Sequence, residues 1–257
     1  MDEKNSSSAP WDFTARTERI FGREAMERLA RSRVAVFGLG GVGGYVVEAL
    51  ARSGVGALDL IDSDTVSLSN LNRQLLATRA TLGRYKSDVA AERVRCINPA
   101  CSVRAHRVFY LPDTAGQFDF TQYDYVVDAI DTVTGKLMLI EAARAAGVPI
   151  ICSMGTGNKT EPNAFLVADL FETSVCPLAR ILRRGCRRRG IEHVKVVYSR
   201  EKPLQSYVPS DEGEAPPEGR HSIPGSTAFV PASAGLLLAS EVVKDLIGFD
   251  HSAREEP

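Results

Sequence analysis

The segment "RVAVFGLGGVGGYVVEALARSG" (residues 33–54) constrains the fold more than any other. Five residues, four of them apolar, run into a glycine, as a buried parallel strand does. The glycines at 38, 40 and 43 have G-x-G-x-x-G spacing, and an apolar helical pattern follows until Gly54. A strand, a glycine turn and a helix in that order form the setting in which this spacing carries meaning. The backbone at Gly38, Gly40, Gly41 and Gly43 can approach a phosphate chain closely, and the helix N-terminus favours its negative charge.

The same alternation continues. "ALDLID" reads as the second strand, "RYKSDVAAERVRCINP" as a helix stopped by Pro99, and "SVRAHRVFY" as a third strand. "YDYVVDAID" is a fourth strand, residues 133–147 a helix, and "PIICSM" a fifth strand. Strands separated by helices imply βαβ units and a mostly parallel sheet. The expected fold is α/β: a Rossmann-like, doubly wound sheet with an N-terminal helical arm and a C-terminal elaboration. The arm is assigned to residues 1–32, the nucleotide-binding core to 33–155, and a substrate and dimer region to 156–257, all within one integrated domain. In that last region "NAFLVADL" and "HVKVVYS" are strand-like, "CPLARILRRGCRRRG" is a basic helix, and residues 201–226 read as a long loop. "VPASAGLLLASEVVKDLIG" is a small-residue helix suited to close packing.

Glycine turns of this kind serve nicotinamide, flavin and adenylate sites alike. Asp62, at the end of the second strand, has the position of a carboxylate that binds ribose hydroxyls. "SLSNLNRQLL" (67–76) separates the alternatives. A dehydrogenase leaves its pyrophosphate intact and gains little from cations gathered on it. An adenylating enzyme must draw charge off a leaving pyrophosphate, and the planar fork of Arg73 suits that task. Asn70 can donate to phosphate oxygens without adding charge, Gln74 can orient Arg73, and Lys86 can reach the same phosphates as a point charge. Positioned charge is the largest usual contribution to such transfers. In "VVDAID", Asp131 is placed to hold Mg²⁺ with the phosphates, while Asp128 reads equally as a buried helix cap.

Together "GLGGVGG", "LIDSDTVSLSNLNRQ", Lys86 and "DAID" resemble the adenylation core of the ubiquitin-activating-enzyme superfamily, the ThiF/MoeB/HesA group. That resemblance implies ATP and Mg²⁺ as cofactors. It assigns Asp62 to the ribose, Asp64, Asn70, Arg73 and Lys86 to the phosphates, and Asp131 to the metal. It also implies a homodimer in which an arginine of the arm enters the partner's site, and Arg19 in "RTER" matches that arginine. "SMGTGNKTEPNAFLVADLFETSVCPLARILRR", "VKVVYSREKP" and "PGSTAFVPASAGLLLASEVVKDLIG" resemble the tRNA threonylcarbamoyladenosine dehydratase subfamily. The implied substrate is tRNA carrying threonylcarbamoyladenosine, cyclised through a carboxyl-adenylate.

The alternative is adenylation of the C-terminal glycine of a ubiquitin-like sulfur carrier, with a sulfur-relay or carrier protein as partner. Enzymes of that branch commonly carry two C-x-x-C zinc pairs. The five cysteines here include no such pair, which also argues against a zinc knuckle. Cys176 stands at a helix start, where a thiolate is favoured. With a net charge of −1 across 257 residues, any RNA-binding surface must be local, and the arginines around 180–189 are the densest candidate. A polar, acidic start and the lack of a long apolar run lead to the expectation of a cytoplasmic protein with no membrane span.

Overall fold

A computed structural model describes residues 12–205 and 224–249. The first ten residues and most of the 201–226 loop lie outside that range. The arm forms two short helices, α1 (Ala15–Phe21) and α2 (Arg23–Arg31), broken at Gly22. The core then runs β1 (Arg33–Phe37), α3 (Gly43–Arg52), β2 (Ala57–Ile61), α4 (Lys86–Ile97), β3 (Ser102–His106), β4 (Tyr125–Asp128), α5 (Val133–Ala146) and β5 (Ile150–Ser153). It is completed by β6 (Phe165–Asp169), α6 (Pro177–Arg188), β7 (Lys195–Ser199) and α7 (Val230–Ile247).

The seven strands form one sheet in the order β3-β2-β1-β4-β5-β7-β6. All neighbours are parallel except β6 and β7. The chain winds outward from β1 through β2 to β3, then returns to β4 on the other side of β1. The switch point therefore falls between β1 and β4, and a crevice opens at their carboxyl ends.

Alternation along β1 shows why helices cover both faces. Val34 and Val36 join a core with α2, α3, α4 and α7, whereas Ala35 and Phe37 join one with Tyr110, Phe118, Phe120 and α5. Leu29, Leu50, Leu58, Leu60 and Leu139 are wholly buried, each contributing about 1.5–3 kcal/mol of transfer free energy.

The third strand is shorter than the sequence suggests. Its pairing with β2 ends at Ile61 opposite His106, and Arg107 turns aside to pair with Asp88. Val108, Phe109 and Tyr110 leave the sheet, and Tyr110 packs edge-on against Phe37. A period-two apolar pattern cannot distinguish a strand residue from one that packs under a loop.

Candidate active site

The crevice at the switch point is a cavity of about 600 Å³. Its floor is the glycine turn. Gly38 has φ +88°, and a Cβ there would lie 2.7 Å from the Ala129 carbonyl oxygen, so only glycine lets β1 and β4 meet so closely. Gly40 and Gly41 line the cavity. Gly43 does not; a Cβ on it would strike the Gly38 carbonyl oxygen, so it serves the packing of α3 beneath the turn.

Asp62 caps β2 and faces the cavity. Its two oxygens accept the Leu39 amide at 2.7 Å and the Asp64 amide at 2.8 Å, which fixes the carboxylate beside the glycine turn. Burial pushes its pKa up, and the nearby Lys86 charge with these two amides partly offsets that. Lys86 is the first residue of α4, is 5% exposed, and donates to Asp64 Oδ2 at 2.7 Å.

The "SLSNLNRQLL" stretch forms one 3-10 turn, Leu68–Asn70. Asn70 is buried, and its Oδ1 accepts the Ser67 amide at 3.1 Å. That bond orients the side-chain amide and leaves its NH₂ as the group available for a ligand. Arg73 donates from one terminal nitrogen to the Ser69 carbonyl and to Asn72 Oδ1, both at 2.9 Å. Burial lowers its pKa, so its charge is held in a poorly solvated place. Gln74 is 8% exposed, and its Oε1 is buried without a hydrogen-bond partner. Such an orphan beside a cavity is costly unless a ligand or water meets it.

Asp128 ends β4 and Asp131 lies in the turn beyond it; of the two, only Asp131 lines the cavity. Asp128 is fully buried and paired with Lys136 at 3.0 Å. Burial pushes the Asp128 carboxyl up, against the pull of Lys136. Arg19 is exposed on α1 and does not reach the cavity of its own chain. Cys176 is buried as the N-cap of α6.

Topology also brings in residues that local sequence did not single out. Phe109 and Tyr110 form one wall, Met154 to Gly157 a second, and Pro224 to Ser226 with Pro231 a third. Asn158, at φ +56°, secures the third wall: its backbone amide and its Oδ1 bond the Gly225 carbonyl and amide at 2.8 and 2.6 Å. Asn72 adds a bond to the Ser226 carbonyl at 3.1 Å. Asparagine is among the few non-glycine residues that take this left-handed conformation readily, so Asn158 in "GTGNK" is a local signal for the turn.

The ThiF family model matches residues 14–256. The chain belongs to the ThiF family. Among curated relatives, the tRNA threonylcarbamoyladenosine dehydratase of Bacillus subtilis is 42% identical over 240 residues, covering 91% of this chain and 94% of that one. Among solved structures, the tRNA N6-threonylcarbamoyladenosine dehydratase of Escherichia coli in complex with ATP superposes with a TM-score of 0.82. It has 34% identity, over 96% of this chain and 97% of that one. The AMP complex of the same Escherichia coli protein gives 0.81 and 34%, over 93% and 94%. This ThiF-family chain therefore shares its fold, across nearly its full length, with a protein solved with both nucleotides.

Proposed function

We propose that this chain is an ATP-dependent adenylating enzyme that dehydrates threonylcarbamoyladenosine in tRNA to a cyclic form. One observation carries the reading: five separate segments deliver Gly40, Asp62, Asn70, Arg73, Lys86 and Asp131 to one cavity. Relatives named for this reaction, at the identities above, support the substrate.

The chemistry follows from the groups present. The ATP phosphates lie over the glycine turn at the N-terminus of α3, with the ribose on Asp62. The substrate carboxylate attacks the α-phosphorus, the bond to the β-phosphate bridging oxygen breaks, and pyrophosphate leaves. Arg73, Lys86 and the Asn70 amide stabilise the charge that gathers on the leaving group. A neighbouring nucleophile of the same modified nucleoside then attacks the activated carbonyl, closes the ring and expels AMP. No protein nucleophile is required, which agrees with the burial of Cys176.

The donor set fits magnesium held mainly by phosphates. Asp131 supplies an exposed carboxylate, Asp64 is held by Lys86, and no group of three or more metal-binding side chains occurs among the described residues. Mg²⁺ typically takes one or two carboxylates plus phosphates and waters, and there it would neutralise phosphate charge.

Arg19 completes the site of a partner subunit in this reading, so the active form is a homodimer. The arginines of α6 supply an RNA-facing surface. Arg183 is held by the Thr173 carbonyl and hydroxyl, Arg187 lies over Phe171, and Arg189 pairs with Glu141. That leaves Arg180, Arg184 and Arg188 on one helical face with no ion pair among the described residues. No helix among the described residues is long and apolar enough to cross a membrane, and the reaction proposed belongs in the cytoplasm. ATP–pyrophosphate exchange tests the reading: stimulation by modified tRNA supports it, and stimulation by a sulfur-carrier protein alone would transfer it to the alternative.

A further inference from the structure

The most completely buried charged pair among the described residues has no part in the chemistry above. Lys136, on the first turn of α5, is 0% exposed, as is its partner Asp128. Its ammonium donates to both Asp128 oxygens at 3.0 Å and to the Ser153 carbonyl at 2.8 Å. These three acceptors use all three N–H groups. An ion taken this far out of water is expensive, and a well-packed apolar pair of similar volume is often as stable or more so. Stability alone therefore does not account for a charge at this position.

Its location suggests what does. Asp128 ends β4 and Ser153 ends β5, and a cavity wall begins immediately after each. Asp128 Oδ1 also accepts the Ile130 amide at 3.2 Å, which shapes the turn that carries Asp131. Gly135 lets the same turn pack tightly, since a Cβ there would come within 2.8 Å of Ile130 and Thr132 atoms. Beyond Ser153, Met154 to Gly157 line the adjoining wall, with the Met154 amide on the Val197 carbonyl at 2.8 Å. One ammonium therefore ties the base of the Asp131 turn to the base of the Met154–Gly157 turn.

We propose that Lys136 is a positioning residue that locks these two walls into one rigid unit, holding the turn that carries Asp131 in register with the Met154–Gly157 turn around the reacting groups. This rests on the adenylation reading and adds to it a residue that touches neither ATP nor acid. In-line attack needs the carboxylate and the α-phosphorus aligned, and small misplacements cost rate far more than they cost binding.

The test uses the full chain with Lys136→Met/Asp128→Asn, which removes both charges and keeps the side-chain volumes and an acceptor for the Ile130 amide. ATP binding is measured by calorimetry, pyrophosphate release by steady-state kinetics with modified tRNA, and backbone opening by hydrogen exchange. The expected result is ATP affinity and KM within about threefold of wild type, with kcat lower by at least about tenfold. Exchange should rise together in residues 129–132 and 153–157, by about tenfold. A kcat within about twofold, or faster exchange in only one of the two turns, would overturn the proposal. If the double variant does not fold, the isosteric Asp128→Asn decides by the same readouts, and unchanged kcat and exchange again overturn it. Absent ATP binding by the wild type would sink the adenylation reading itself, an outcome distinct from an unaffected variant.

Discussion

Replacing Lys86 with methionine separates the folding role of that residue from the catalytic one proposed for it. Methionine keeps most of the buried volume, so no sizeable cavity forms. The lost contact is the 2.7 Å ion pair with Asp64. At that distance Coulomb attraction is about 1.5 kcal/mol with water-like screening and about 6 kcal/mol at an effective dielectric of 20. The Asp64 side chain is 52% exposed, which places the pair towards the weaker limit. Desolvation of the ammonium offsets much of what remains. The net folding cost should be about 1 kcal/mol, a fall in Tm of about 2–4 °C for a chain this long. In the proposed reaction the same ammonium meets a leaving pyrophosphate in a partly closed cavity. Loss of one positioned donor of this kind costs about 3–4 kcal/mol, or roughly a hundred- to a thousandfold in kcat. Lys86 also helps hold the raised pKa of Asp62 down. A carboxyl raised on folding costs stability above its folded pKa and nothing below its unfolded value, near 3.9. The variant's deficit should accordingly be small in acid and widen as pH rises through that window. Thermal melts across pH and pyrophosphate-release kinetics measure both effects. A kcat within about threefold of wild type, or a Tm lower by more than about 10 °C, would refute the division of roles.

Mixing inactive Arg19→Ala with inactive Asp131→Ala subunits should restore part of the activity, because a heterodimer then contains one site with both residues intact; no recovery would place Arg19 in its own subunit's chemistry or outside it. Asp59 is buried, which raises its pKa, but bonds from His106 and Arg33 lower it further than burial lifts it. Its stabilising contribution is thus present at neutral pH and lost as pH falls below about 4, so the Tm gap between wild type and Asp59→Asn should close in that acid range and stay open above it. Neutralising Arg180, Arg184 and Arg188 should flatten the salt dependence of tRNA affinity by about two to three in log–log slope and leave ATP affinity unchanged; equal slopes would remove α6 from the RNA surface.

Much of the fold was legible because parallel strands are buried on both faces and announce themselves as short apolar runs. The cavity floor was legible for a different reason: Gly38, Asp62 and Asn70 sit at fixed offsets from strand ends, where spacing alone implies position. The walls were not. Tyr110 and Met154 have ordinary apolar side chains, and only the strand order β2-β1-β4-β5 carries them to one crevice. Lys136 hid for the opposite reason: a lysine on the first turn of a helix reads as a solvated charge, and the acceptor at Ser153 is a backbone carbonyl with no residue signature. Arg19 could be matched by resemblance alone, and it lies outside the cavity of its own chain.

The closing helix has a consequence for the order in which the molecule can be made. α7 lies against α3, and Gly235 comes so near the Val42 carbonyl oxygen that a Cβ would sit 2.5 Å from it. Pro231 likewise lies against Gly41. The glycine turn is thus seated by a helix that leaves the ribosome long after it. Until residues 230–247 emerge, α3 lacks its most extensive packing partner, and the nascent chain carries that apolar surface while the intervening residues are made. Contacts spanning such a separation close slowly. A chain cut short before residue 230 would hold Gly40, Asp62, Asn70, Arg73, Lys86 and Asp131 and still leave the nucleotide floor unsupported.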